Sequence, residues 1–180
     1  MSGAKDTVDE KTSTALAKLT QGMDSAAVRQ LCTLVCVFDL RNGEVLIKEG
    51  DHSASMFIVA SGTLRVSIGG SAGIQLPDLR EGEWVGEISL LDPGPTSATV
   101  KVIGRAMVLD FTHDALKDFI KSHPAGALHL LTALTRDLAR RLNRTSVGLV
   151  QKGLAGLTLV DPGPRPDPGM VTSLLRMLNR

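Results

Sequence analysis

One stretch of the chain carries residue types at spacings that can do chemistry: Glu81-Gly-Glu-Trp-Val-Gly-Glu-Ile-Ser-Leu-Leu-Asp-Pro-Gly-Pro-Thr-Ser-Ala-Thr-Val100. Trp84 and Val85 read as the end of a strand, and Gly86 lets the backbone come close to a ligand. Glu87-Ile-Ser-Leu-Leu91 is long enough for one helical turn. A helix that starts there offers free amides and partial positive charge, which favour an anion such as phosphate. The Glu87 carboxylate can only accept hydrogen bonds, which suits the hydroxyls of a sugar. After Pro93-Gly-Pro95 turns the chain, Ser97-Ala-Thr-Val100 alternates like a strand returning along the same pocket. The candidate contact residues are Gly86, Glu87, Ile88 and Ser89 from the turn, with Ser97 and Ala98 from the return.

That chemistry is binding. Ser61, Ser89 and Ser97 lack the Gly-x-Ser-x-Gly elbow that exposes a nucleophile, and neither Cys32 nor Cys36 has a histidine beside it. His52, His113, His123 and His129 are scattered, with no paired carboxylate at ligand spacing, so a metal site of the cupin type is not expected. The expectation is a protein that is not an enzyme and holds no metal. The two cysteines, four apart in an apolar segment, would share one helical face and read as buried thiols rather than a disulfide framework.

The elements that must position the pocket follow from periodicity. Residues 1–13 are polar and mixed in charge and are expected to be flexible. Over residues 14–34 Leu16, Leu19, Met23, Ala27 and Leu31 recur at helical spacing, with Gly22 and Asp24-Ser25 separating two short helices. From Val35 the composition turns to strand formers, and Arg41-Asn-Gly43 is a hairpin signal between Val35–Leu40 and Glu44–Ile47. Met56–Val59 and Leu64–Ile68 read as successive strands, Gly69-Gly-Ser-Ala-Gly73 as a flexible connection and Met107–Phe111 as the last strand. Strands of five to seven residues between glycine turns predict an all-β roll or barrel.

Thr112 is a candidate cap for a helix ending near His123-Pro124. A longer helix follows to about Val147, with Leu128, Leu131, Leu134, Leu138 and Leu142 as an apolar stripe and Arg136, Arg140 and Arg144 on another face. Residues 148–180 hold the proline-rich run Asp161-Pro-Gly-Pro-Arg-Pro-Asp-Pro-Gly169, read as a linker, and a short amphipathic tail from Met170 able to dock on its own domain or a protein partner.

Composition limits the functions. The 180 residues suffice for one sizeable domain. A net charge of +1 and only 3% aromatic residues leave neither the basic excess nor the stacking platforms of a nucleic-acid binder. No run approaches the ~20 apolar residues of a membrane span and no signal peptide opens the chain, so a cytoplasmic protein is expected.

Gly86-Glu-Ile-Ser-Leu-Leu91 followed by Pro95-Thr-Ser-Ala-Thr-Val100 resembles the signature of the cyclic nucleotide-binding domain family. Gly43–Asp51 and Met56–Leu64 are also similar to its early strands, so the resemblance spans roughly residues 30–147. It implies an antiparallel, jelly-roll-like β-roll with N-terminal helices, a short phosphate-cassette helix and a long C-terminal helix, binding cAMP or cGMP. It further implies a regulatory role, with Glu87 on the ribose hydroxyl, dimer contacts along helix 124–147, and that helix closing over the base. In the family an Arg binds the cyclic phosphate where this chain has Thr96. Arg supplies charge and a two-point fork, Thr a single hydroxyl. Arg65, Arg80 and Arg105 are candidates to supply the missing charge. A roll without nucleotide, serving dimerisation or protein interaction, is the alternative. Direct DNA reading is not expected, because the residues after the long helix are proline-rich and few for a helix-turn-helix.

Overall fold

The computed structural model describes residues 3–70 and 73–156, and the side chains of residues 10–70 and 73–143. It is an antiparallel sheet flanked by helices. Helices α1 (Gly3–Thr20) and α2 (Ser25–Leu34) come first. Asp24 caps α2, accepting hydrogen bonds from the amides of Ala26 and Ala27, each at 2.8 Å. Of the segment expected to be flexible, residues 3–13 are helical and belong to α1. Thr12 is buried on the same face as Ala15, Leu16 and Leu19, which carries the apolar stripe further back than composition suggested. Cys32 lies in α2 and Cys36 in the following strand, so the two do not share a helical face, and Cys36 is exposed.

Strands β1 (Cys36–Arg41) and β2 (Val45–Ile47) were expected to form a hairpin, but they are not partners. Both pair with one long strand, β8 (Thr99–Thr112), β1 along residues 105–110 and β2 at Lys101 and Val100. The amide of Gly43 (φ +82°) donates to Val102 O, the amide of Val102 to Glu44 O, and Asn42 Oδ1 accepts from the amide of Gly104. Those bonds carry the chain onward along β8 instead of folding it back.

The second correction concerns Met56–Val59 and Leu64–Ile68, which are one strand, β4 (Ser55–Ile68), paired with β8 along its length. The register shifts around Ser61. Before the shift Met56, Ile58 and Ala60 face a core shared with the helices, while Val59 faces a second core inside the roll. After it Leu64 and Val66 face that second core. Shifts between Val59 and Ser61 and between Ser61 and Thr63 leave a net offset of one residue, which flips the side-chain parity of β4, so both halves of β4 present aliphatics to Val100, Val102, Ala106 and Val108 of β8.

Three short strands, β3 (His52–Ser53), β5 (Ile74–Gln75) and β6 (Trp84–Val85), a short helix α3 (Glu87–Leu91) and β7 (Gly94–Pro95) lie between the early strands and β8. β5 and β6 pair with β4, and β3 with β7. Helix α4 (His113–Ser122) is capped by Thr112, whose Oγ1 accepts from the Ala115 amide at 3.2 Å. Helix α5 (Pro124–Gly156) runs beyond the expected end near Val147. Its inward face is Ala127, Leu130 and Leu134, whereas Leu128 and Leu142 of the expected stripe are 66% and 68% exposed. The compact unit carrying the sheet ends at Asp137, and the described residues from Leu138 onward fall outside it. The proline-rich run and the tail from Met170 lie outside the described residues, as does part of the 69–73 connection.

Gly62 sits at the register shift with φ +91°, and a Cβ there would lie 2.2 Å from Arg105 O. Gly43 has φ +82° but nothing within 4 Å of such a Cβ. Gly62→Ala should therefore cost about 1–3 kcal/mol or more, and Gly43→Ala about 1 kcal/mol or less. Urea unfolding of both variants checks the order, and equal losses would contradict the bulge as the tighter constraint.

Candidate functional site

The candidate site is built where β6 ends. Gly86 adopts the left-handed conformation (φ 86°, ψ 13°) and is the N-cap of α3. A Cβ on it would lie 2.5 Å from Ser55 O, so both conformation and space demand glycine. The first intrahelical bond, from the Leu90 amide to Gly86 O at 2.9 Å, leaves the amides before it without an intrahelical acceptor. Glu87 and Ser89 are buried, at 6% and 7% exposure, while Ile88 is 60% exposed. A carboxylate and a hydroxyl at that depth in so short a helix are placed for a polar function.

Two cores hold this turn. Trp84 and Leu90 belong to the core shared with the helices, and Val85 and Ala98 pack against the core inside the roll. His113 Nδ1 lies 2.7 Å from Leu90 O, tying α3 to the start of α4.

The return segment is fastened elsewhere. Thr96 Oγ1 donates to Lys48 O at 2.7 Å, the Thr96 amide donates to Asp51 O at 2.9 Å, and the Gly50 amide donates to Thr96 O at 2.8 Å. The Glu49 amide donates to Thr99 Oγ1 at 3.1 Å. Thr96 is thus clasped by the loop between β2 and β3, and β3 continues that clasp by pairing His52 with Pro95 and Ser53 with Gly94. Residues 48–55 touch both halves of the candidate site, meeting Thr96 at one end and Gly86, through Ser55, at the other. Sequence reading did not single out Lys48, Asp51 or Ser55. The only trace of Lys48 and Asp51 was the Gly43–Asp51 segment, similar to one of the family's early strands. Ser97 is exposed, with no role visible in the structure.

Of the arginines considered as replacements for the missing charge, Arg65 is engaged with Asp78, Nε to Oδ1 at 3.3 Å. Arg105 lies opposite Arg41 in the β1–β8 register, at the bend near Gly104. The Arg80 amide donates to Glu83 Oε2 at 2.8 Å. Among the described residues no group of three or more His, Cys, Asp or Glu side chains is arranged to hold a metal ion. No described helix is long and apolar enough to cross a membrane.

Residues 37–123 match the cyclic nucleotide-binding domain family. The "CRP-like cAMP-activated global transcriptional regulator" of Mycobacterium tuberculosis is 29% identical over 172 residues, covering 91% of this chain and 68% of the relative. The catabolite activator protein of Thermus thermophilus superposes with a TM-score of 0.65 at 28% identity, over 76% of this chain and 63% of that one. A cyclic nucleotide-binding domain from Methylobacillus flagellatus gives a TM-score of 0.73 over 80% of this chain and 85% of that one. At 19% identity it shows the shared fold alone.

Beneath the turn, Ser55 hydrogen-bonds Asp110 of β8. Burial raises the Asp110 carboxyl above the ordinary 3.8, the Ser55 bond opposes this, and its buried Oδ1 has no hydrogen-bond partner. A carboxyl whose pKa is higher folded than unfolded costs stability once it ionises. The fold should therefore weaken as pH rises from about 3.8 through the raised value. Asp24 acts oppositely: the amide bonds from Ala27 and Ala26 hold its carboxyl low, giving stability that is lost as pH falls. Asp110→Asn should be more stable than the parent at neutral pH, with the difference shrinking in acid, while Asp24 cancels between the two. Thermal melts across pH test this, and a pH-independent difference would contradict it.

Proposed function

Because residues 37–123 form a domain of the cyclic nucleotide-binding family, we propose that this chain is a non-enzymatic regulatory module that seats a cyclic nucleotide between α3 and the Pro95–Ala98 return. The observation that carries this reading is the start of α3. A position that conformation and space restrict to glycine precedes a buried Glu87 and the first amides of α3, which have no intrahelical acceptor. In this reading the amides at the start of α3 take the cyclic phosphate and Glu87 takes the ribose hydroxyl. cAMP is the first ligand to test, since the M. tuberculosis relative is described as cAMP-activated. cGMP is the comparison.

The signal leaves through α5 in the same proposal, and that helix, with Leu128 exposed, carries the contacts of a homodimer. Localisation is cytoplasmic, and DNA reading would require residues other than those described here.

A second reading has its own support. The Thr96 hydroxyl, in the position of the family's phosphate-binding Arg, is already committed to Lys48 O at 2.7 Å. A side chain used to fasten a loop fits a roll retained for dimerisation or protein interaction.

Calorimetric titration separates the two. The parent should bind cAMP or cGMP saturably, but weakly for the family, because a lost bond to a charged group is worth roughly 1.5–3 kcal/mol. Thr96→Arg should tighten binding by about ten-fold or more, less whatever the lost Lys48 clasp costs. Glu87→Ala should weaken it. No heat from the parent at millimolar nucleotide, and no gain from a folded Thr96→Arg, would leave the second reading in its place.

A further inference from the structure

Away from the cassette, α1 and α5 enclose an open groove of about 350 Å³ lined by Lys18, Gln21, Leu128, His129, Thr132, Ala133 and Arg136. Leu128, Thr132 and Arg136 are spaced i, i+4, i+8 along one stripe of α5, and His129 and Ala133 run beside it. The opposite wall is the last turn of α1 and the residue just beyond it. Gly22 makes this approach possible. With φ +85° it ends the helix sharply, and a Cβ there would lie 3.1 Å from His129 Nδ1 and Cε1.

The groove gathers positive charge, and no Asp or Glu is among its lining residues. Thr132 has spent its hydroxyl on Leu128 O at 2.7 Å. What remains is the Lys18 ammonium, the Arg136 guanidinium, the Gln21 carboxamide and the His129 ring. Among the described residues none of Lys18, His129 and Arg136 is within ion-pairing distance of a carboxylate. Lys18 Nζ would lie 3.6 Å from a Cβ on Gly82, which Glu81 and Glu83 flank in sequence. Of these, Glu83 Oε2 already accepts from the Arg80 amide.

Two cationic side chains, Lys18 and Arg136, repel one another in one small concavity unless an anion joins them. Arg offers phosphate a planar two-point fork, Lys a compact point charge. The volume is at the small end for ligand sites, so the occupant is of metabolite size. We propose that this groove is a second ligand site, separate from the nucleotide cassette, that takes a phosphate-bearing small anion and thereby links α1 to α5.

Inorganic phosphate, pyrophosphate and glycerol 3-phosphate are the probes, titrated into isotope-labelled protein at constant ionic strength. The account expects saturable shifts of the His129 ring and of the Leu128 and Ala133 methyls. It expects Lys18→Gln with Arg136→Gln to weaken binding by about ten-fold or more. Tighter binding of glycerol 3-phosphate than of inorganic phosphate would identify an organic phosphate ester as the occupant, and equal binding the free anion. Non-saturating shifts, shifts confined to residues 86–98, or unchanged affinity in the double variant would overturn the site. The shifts in unaltered protein remain decisive should the double variant fail to fold. Because the cassette lies elsewhere, cyclic nucleotide binding should be the same in parent and double variant, so failure here does not touch the proposed function.

Discussion

Strand β4 cannot pair with β8 along its whole length and keep aliphatics inside the roll unless the chain slips by one residue near its middle. The slip occurs around Ser61, and Gly62 makes it possible, with Arg105 O where a side chain would stand. The remaining strands are placed by this pairing. β1 and β2 add to the far side of β8, while β5 and β6 add to β4. β6 then delivers Gly86 beside Ser55 at the start of β4. The cassette is thus an outcome of the same register that closes the roll.

Apolar burial holds this arrangement. Phe111, Phe119, Leu109, Leu130 and Leu134 are nearly or fully buried in the core between sheet and helices. Each such side chain contributes about 1.5–3 kcal/mol. The exposed pairs Lys117–Asp114 and Lys121–Asp118 contribute at most about 1 kcal/mol each. Trp84 and Leu90 are rooted in that same core and Val85 and Ala98 in the other, so the two cores anchor the segments that carry the polar groups of the site.

The parts of this fold legible in the sequence were those decided locally. The strand end at Trp84-Val85, the glycine, the single helical turn and the cap at Thr112 depend on neighbours a few residues away. Bonds between distant residues were not legible. Arg41-Asn-Gly43 reads as a hairpin until Gly104 and Val102 claim its polar groups. The glycine at position 62 looks like a turn until β8 is laid beside it. Thr96 showed the same limit. Its type announced a lost charge, but its use as a clasp for Lys48 and Asp51 appears only when the β2–β3 loop is in place. The depth of Glu87 was likewise invisible, since a lone carboxylate in a short helix is ordinarily solvated.

The central claim is that the start of α3 is a seat for a cyclic phosphate. The most direct measurement is the chemical shift and exchange rate of the backbone amides of Glu87, Ile88 and Ser89 as cAMP or cGMP is added. If the seat works, these amides should shift saturably and exchange more slowly at saturation, while a linear monophosphate leaves them largely unchanged. Amides that stay where they are at saturating nucleotide, in a protein whose sheet signals show the fold intact, would contradict the claim.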